Sequence, residues 1–384
     1  KSGKGGLETT TREQSTFPLL TPLLESAQGQ YQHFSQPLTT QTLWQIKHFS
    51  HIYRTMSEAK SSSHKWAAGS ATPPSTPLSL FVGYSLQLSL VACWVGGFAS
   101  PAFAYHWYKT KNSLALSIYA AVIASGYVFP SSYTGSPALK EFYMRYIFLP
   151  FKSSQRRFKY LPDKSSPGIV LYHPHGMFSW GFANGGAWND FYYTKGFQGL
   201  VASSLLHAPG FRLLFVKLLG GINSAEKDEL VGKMKKGESF GLIPGGFHEA
   251  SISHPGTSRV FLKNRKGFVK YALQHGFSLV PVYTFGESST YWNAPGLWSL
   301  RWKLNDNKLP AILPFGRWWF PLLPRPVDLN TIGGEPLKLP KIEKPTKNDV
   351  DMWHTAYILH LKKHFDTYKK EFGGLEADSE LEVW

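Results

Sequence analysis

Three polar clusters stand at the ends of apolar runs. In the first, His173-Pro174-His175-Gly176 follows the run GIVLY. A proline between two histidines fixes the backbone and keeps the preceding residue out of helical geometry, so both imidazoles are presented from an extended or turn conformation. Gly176 offers close backbone approach to a bound molecule. The second cluster is Pro244-Gly245-Gly246-Phe247-His248-Glu249, in which paired glycines can expose N–H groups beside a carboxylate. The third is a basic group, Arg259, Lys263, Arg265, Lys266 and Lys270. A neutral imidazole can take a proton from a hydroxyl, backbone N–H groups can receive a developing oxyanion, and cations can hold phosphates. Each motif also has a plain structural reading: a satisfied core histidine, an ordinary turn, a solvated helix face.

The elements that must carry these groups alternate. Residues 168–173 and 197–207 read as strands, rich in aliphatic side chains and ending at Pro or Gly. Residues 225–236 read as a helix with Ser224 as N-cap and Gly237 as its stop. Residues 239–246 form another strand running into the glycine pair. A helix over 265–275, ended by Gly276, feeds a strand over 277–285. Apolar residues at Val350, Trp353, Tyr357, Leu361, Phe365, Tyr368 and Phe372 are spaced by three and four and predict a long amphipathic closing helix. Alternation of this kind predicts an α/β domain with a largely parallel sheet, in which chemistry sits beyond the strand ends.

Upstream the chain changes character. No Asp, Glu, Lys or Arg occurs between Lys65 and Lys109, nor between Lys111 and Lys140. Residues 78–100, bracketed by Pro77 and Pro101, have the roughly 20-residue length of a membrane span, and residues 114–130 form a shorter apolar run. A connector holding Tyr105, Trp107, Tyr108, Lys109 and Lys111 joins them, with aromatics suited to an interface. This predicts a helical hairpin over 77–131, transmembrane or re-entrant; two core helices of a soluble protein are the plainer alternative. Basic residues beyond the hairpin put both termini on the cytoplasmic side. Residues 1–76, rich in Ser, Thr, Gln and Pro, read as a flexible tail without a secretory signal, residues 132–373 as the main domain, and 374–384 as an acidic tail.

Composition agrees with this division. Among 384 residues, 41 Lys and Arg against 25 Asp and Glu give a net charge of +16, yet charged residues total only 17% while aromatics reach 15%. That balance fits contact with anionic lipid headgroups better than nucleic-acid binding. A single cysteine, Cys93, excludes a disulfide framework and a cysteine metal cluster. The mean hydropathy of −0.22 excludes a many-span transporter.

The strings LYHPHGMFSWG, LIPGGFHEA and RKGFVKYALQHGFSLVPVYTFGE, with the closing GEPL and the C-terminal HxxYxxxLKKHFDTYKKEFG region, resemble the type-2 diacylglycerol acyltransferase family, which includes monoacylglycerol and wax-alcohol acyltransferases. The resemblance runs from about Leu139 to Gly373. His248 stands where the family commonly has Gln, and the usual Tyr-Phe-Pro appears only loosely as Phe148-Leu149-Pro150. The resemblance implies acyl transfer from acyl-CoA to diacylglycerol, with monoacylglycerol or a long-chain alcohol as alternative acceptors. It also implies a place in the endoplasmic reticulum membrane or on lipid droplets.

On that footing His175 is the expected base, with His173 orienting it or its substrate. Glu249 is expected to orient the histidine, Gly176, Gly245 and Gly246 to supply backbone contacts or an oxyanion site, and Arg265, Lys266 and Lys270 to hold the CoA phosphates. Acyl-CoA is a co-substrate; no cofactor or metal is called for, and the oligomeric state is open. Two competing readings are a zinc hydrolase using His173, His175, His248 and Glu249, and a catalytically silent lipid-binding protein. The aromatic segment around Trp292, Trp298, Trp302, Trp318, Trp319 and Phe320 reads equally as core or as an interfacial surface or acyl-chain tunnel.

Overall fold

A strand with aliphatic side chains on both faces suits a sheet covered on both sides, and 168–173 and 278–285, each buried throughout, become the centre of the sheet. The computed structural model describes residues 75–129, 135–158, 160, 162, 165–185 and 197–384. Most of the expected tail, 1–76, lies outside the described residues, as do 130–131 of the expected hairpin. In chain order the elements are α1 (Pro77–Lys109), α2 (Ser113–Val128), α3 (Pro137–Tyr146), β1 (Ser153–Phe158), β2 (Gly168–His173), α4 (Trp180–Gly185), β3 (Gln198–Val201), α5 (Ser203–His207) and β4 (Ile222–Ser224). They continue with α6 (Lys227–Lys235), β5 (Phe240–Leu242), α7 (Gly246–Ile252), β6 (Arg259–Val260), α8 (Gly267–His275), β7 (Ser278–Phe285), β8 (Trp292–Asn293) and α9 (Trp298–Asp306). Last come β9 (Pro314–Phe315), β10 (Asp328–Gly333), α10 (Lys347–Phe372) and β11 (Glu382–Val383).

The main sheet has seven strands in the order β1-β10-β7-β2-β5-β3-β4. Every pairing in it is parallel except β10 with β7, so the expected largely parallel sheet is present with one antiparallel join. Because β5, β2 and β7 are parallel neighbours, the residues that follow each of them emerge at the same edge. That register is what brings 173–176, 244–249 and Glu287 together.

Several local expectations need correction. The run 197–207 is strand only to Val201; 203–207 turn into a short helix, α5. Helix α6 starts at Lys227 with Glu226 as its N-cap, and Ser224 instead accepts the Glu226 N–H through its hydroxyl. Gly246 opens α7 and does not end a strand. Helix α8 begins at Gly267, two residues later than its pattern suggested, and stops as expected at Gly276 in the left-handed region. The closing helix α10 forms as read, with Thr346 and Asp349 making a reciprocal cap.

The upstream apolar region also differs in detail. Helix α1 does not stop at Pro101 but runs on to Lys109, so the aromatic connector is its last two turns. Proline has no N–H for the carbonyl one turn back; Gly97 instead accepts the Ser100 hydroxyl at 2.9 Å, which relieves the cost of the interruption. Among the described residues α1 is the one helix long and apolar enough to cross a membrane, and α2 is shorter, at 16 residues. The two helices touch through Trp107 and Tyr119, and Tyr119 donates to Ser100 at 3.2 Å. Yet α1 is also bound into the domain. Ser79, Gly83, Gln87, Leu90, Val91 and Trp94 form one buried face, Gln87 donates to the Ile147 carbonyl at 3.0 Å, and Trp94 packs edge-on against Phe178 and Phe247.

The segment after Gly373, expected as an acidic tail, is packed as structure. Glu376 is fully buried and accepts from Ser258, Tyr283 and the Gly286 N–H. Strand β11 pairs with β6, and the Trp384 carbonyl accepts from Leu262 and Lys263.

Candidate active site

His173 is the last residue of β2, and the chain turns there through a cis His173–Pro174 bond into His175 and Gly176. The two histidines have different surroundings. His173 is wholly buried, with its Nε2 2.9 Å from the Tyr357 hydroxyl of α10. Burial holds that hydroxyl protonated, far above its ordinary titration range, and His173 Nδ1 lies 3.9 Å from Glu249 Oε1. His175 instead lines a cavity of about 690 Å³. Its Nδ1–H donates to the Gly176 carbonyl at 2.8 Å, which leaves the Nε2 lone pair free, with the Ser179 hydroxyl 3.5 Å away. Burial pushes the His175 pKa below its ordinary 6.5, outweighing the Gly176 bond and the Glu249 charge that raise it.

Glu249, on α7, does not touch either imidazole within hydrogen-bond distance. Its Oε1 accepts the His175 backbone N–H and its Oε2 the Phe261 backbone N–H, each at 2.6 Å. The expectation that it orients the histidine ring is therefore corrected: it grips the histidine's main chain. The glycines are likewise reassigned. A Cβ at Gly245 would lie 2.0 Å from Glu249 Oε2, so this glycine makes room for the carboxylate. Gly246 lines the cavity with open space at its Cα and a φ of +56°. Gly176, at φ +60°, would place a Cβ 1.9 Å from Glu287 Oε1, so its freedom serves internal packing and not substrate approach.

Glu287 is the residue that motif reading quoted but gave no role. It follows the fully buried β7 and accepts the N–H groups of Trp180 at 3.2 Å and Gly181 at 2.5 Å. Burial pushes its carboxyl up to about 8 despite those two bonds. The available signal was a carboxylate standing two residues past the end of an uninterrupted buried strand, where charge is tolerated only for a purpose.

Of the expected phosphate-binding cations, Arg265 and Lys266 line the cavity and Lys270 does not; it is exposed on the outer side of α8. Arg265 Nη2 donates to His248 Nδ1 at 2.8 Å, and its buried Nε has no partner. His248 is stacked against Phe261 and Trp302, with its Nε2 3.0 Å from Asp306 Oδ1. Lys266 pairs with Asp351 at 2.6 Å. Both His248 nitrogens are thus engaged by Arg265 and Asp306, and among the described residues His173, His175, His248 and Glu249 do not converge as a metal-binding group. Much of the remaining wall is apolar, including Leu90 and Trp94 of α1 with Phe178 and Phe247, against which Trp94 packs.

The arrangement is one chamber with a base-competent imidazole, three lining cations, Arg265, Lys266 and Lys308, and a largely apolar remainder. Comparison with known proteins adds the lineage. Residues 137–384 match the family described as diacylglycerol acyltransferase. "Diacylglycerol O-acyltransferase 2" of Danio rerio is 38% identical over 232 residues, covering 55% of this chain and 63% of that protein. "Acyl-CoA wax alcohol acyltransferase 2" of Homo sapiens is 35% identical over 231 residues, covering 56% of this chain and 69% of that protein. The chain thus aligns with somewhat under two thirds of the length of the first of these relatives. A crystal structure of the 1-acyl-sn-glycerophosphate acyltransferase PlsC from Thermotoga maritima is similar over 76% of this chain and 98% of its own, at 13% identity and a TM-score of 0.36; at that score the likeness bears on nothing further. With its family match over 137–384 and its paired HPHG and PGG turns at adjacent strand ends, the chain belongs to the diacylglycerol acyltransferase family.

Proposed function

We propose that the protein transfers the acyl group of acyl-CoA to the free hydroxyl of diacylglycerol, making triacylglycerol at a membrane. One observation carries this reading: the free Nε2 of His175 and the cations Arg265 and Lys266 share a single chamber of about 690 Å³ whose remaining wall is largely apolar. A neutral imidazole, anionic phosphates and an acyl chain each find a matching surface there.

An alcohol attacks a thioester slowly until its proton is removed. His175 Nε2 takes that proton as the hydroxyl oxygen bonds to the thioester carbon, a contribution of typically ~10² to 10⁴ in rate. Negative charge gathers on the carbonyl oxygen, for which the Gly246 backbone at the cavity wall is the candidate donor; such a donor is worth roughly 3 to 4 kcal/mol where water is excluded. Collapse re-forms the carbonyl and expels the CoA thiolate, which takes the proton back from His175 and leaves as the free thiol. No acyl-enzyme is required, and Cys93, the chain's single cysteine, does not line the chamber. His173 holds no face on the chamber and acts as a positioning residue, clamped by Tyr357. Arg265 and Lys266 receive the CoA phosphates, Arg265 pre-set by His248.

The length and hydropathy of Pro77–Lys109 support a membrane setting, with α2 completing a hairpin or lying in one leaflet. The endoplasmic reticulum, with lipid droplets as a second site and both termini cytoplasmic, is the proposed location. The deciding experiment presents diacylglycerol, monoacylglycerol and a long-chain alcohol to the membrane-bound enzyme with one labelled acyl-CoA. Diacylglycerol is expected to be the best acceptor, and His175→Ala is expected to abolish turnover while leaving membrane association unchanged. Retained turnover in His175→Ala would remove that residue from the role of base.

A further inference from the structure

Apart from Phe142, Leu375 and Trp384, every large apolar side chain exposed among the described residues lies either in 78–128 or in 292–320. The first stretch is α1 and α2. The second is not a helix of spanning length but a set of short elements: β8, α9, β9 and the turn that follows. It holds Leu297, Trp298, Leu300, Leu313, Phe315 and the run Trp318-Trp319-Phe320, with Trp318 at 86% exposure. Side chains of this size in water cost the folded protein the free energy of their hydration, and contiguous patches of them mark an interaction site.

The two stretches are physically continuous. Trp319 stands edge-on to Tyr84 of α1 with ring centroids 5.6 Å apart. Arg317 lies over the Tyr84 ring at 5.0 Å and donates to the Pro150 carbonyl at 2.7 Å, tying the tryptophan turn to the root of α1. Charge points to the kind of partner. From Tyr291 to Val327 the only acid is Asp306, held by His248, against Lys303, Lys308, Arg317 and Arg325, with Arg301 buried and bonded internally. Indole rings beside lysine and arginine suit the headgroup layer of a bilayer, where a ring has both an apolar body and a polar edge.

We propose that the segment 292–320 is a second membrane-contact surface, seated in the interfacial layer of the bilayer that holds Pro77–Lys109. The inference rests on the membrane reading of that helix. It also gives the segment a use: Asn305, Asp306 and Lys308 line the chamber with His175, so the stretch that meets lipid is also a wall of the site where a lipid hydroxyl reacts.

The test uses the full chain with Cys93→Ala, carrying one new cysteine labelled with an environment-sensitive fluorophore, in vesicles of phosphatidylcholine and phosphatidylserine with or without doxyl-labelled lipid. Labels are placed in turn by Trp318→Cys, Leu114→Cys on α2, and Lys362→Cys on the exposed side of α10. Quenching at 318 and 114 with none at 362 is the expected result. Quenching at 114 but not at 318 overturns the second surface while leaving the helical anchor standing; quenching at neither overturns both. A label at 318 that is unquenched yet shielded in a crosslinked dimer assigns the patch to a second copy, which also overturns the proposal. As an independent measure, the triple change Trp318→Ser, Trp319→Ser and Phe320→Ser is expected to raise the KM for vesicle-borne diacylglycerol by about tenfold. Its kcat on a dispersed short-chain acceptor should stay unchanged; an unaltered KM counts against the surface.

Discussion

Glu249→Gln isolates the feature on which the site's geometry most depends. The side chain is fully buried and its two oxygens accept the His175 and Phe261 N–H groups at 2.6 Å each, linking the histidine turn after β2 to the strand before Arg265. Glutamine has nearly the same shape but only one acceptor, so one of the two N–H groups then faces an amide donor. The loss is one charge-assisted bond, about 1.5 to 3 kcal/mol, together with about 1 to 3 kcal/mol for a buried donor left unmet. Removing a buried carboxylate charge offsets part of this, leaving a net destabilisation of roughly 2 to 4 kcal/mol, which in a folded region of roughly 300 residues corresponds to a Tm lower by roughly 3 to 6 °C. The effect on turnover comes through position. A displacement of His175 by about 1 Å costs on the order of 10²-fold in kcat. Thermal unfolding of the purified protein and kcat at saturating acyl-CoA measure the two effects separately. The Glu249 charge raises the His175 pKa, so its removal also moves the acid limb of kcat to lower pH. A variant whose kcat stays within twofold of the parent, or whose acid limb moves upward, refutes the main-chain tether.

Four further outcomes follow from the same geometry. Arg265→Ala and Lys266→Ala should each raise the KM for acyl-CoA by about tenfold or more, whereas Lys270→Ala, on the outer side of α8, should change it less than about twofold; equal effects from all three would place the phosphates elsewhere. Gly176→Ala combines a φ of +60° with a Cβ 1.9 Å from Glu287 Oε1, so the variant should lose most activity and unfold several degrees earlier, read by differential scanning calorimetry. For pH, burial holds His175 below 6.5, so kcat should be flat above that value and fall only below it. The stability contribution of Glu287 has the opposite dependence. Its carboxyl is raised from 4.5 to about 8, so the protonated form is favoured by folding; the contribution is full below pH 4.5 and is lost as pH rises through about 8. The Tm difference between Glu287→Gln and the parent should therefore change across that window, and a constant difference would contradict it.

Legibility varied with the range of the interaction. The strands β2 and β7 and the helix α10 were readable because each is specified by its own pattern, a continuous aliphatic run or a spacing of three and four. The segment 197–207 was misread because its aliphatic content suits a buried strand or a short buried helix alike, and only packing distinguishes them. Pro101 was taken as a helix end because the hydroxyl that compensates for its missing N–H is a local detail that periodicity does not report. The expected phosphate group divided for a similar reason: Lys266 and Lys270 lie four residues apart, but one precedes α8 and lines the chamber while the other faces water.

By itself the chain determined which chemistry was present and where the local elements begin: two imidazoles after an aliphatic run, a glycine pair before a carboxylate, a cluster of cations, and an uncharged stretch of spanning length. These depend on residue type and on neighbours within a turn or two. The tertiary structure decided what each group does. His175 and Glu249 are 74 residues apart and meet only because β2 and β5 are parallel neighbours. Tyr357 reaches His173 across 184 residues, and Glu287 enters beneath Gly176 only because β7 lies on the other side of β2. Whether a histidine faces a chamber or a tyrosine, and whether a carboxylate holds a ring or a main chain, depends on strand order. That order follows from burying all faces of the sheet at once, and no single segment carries it.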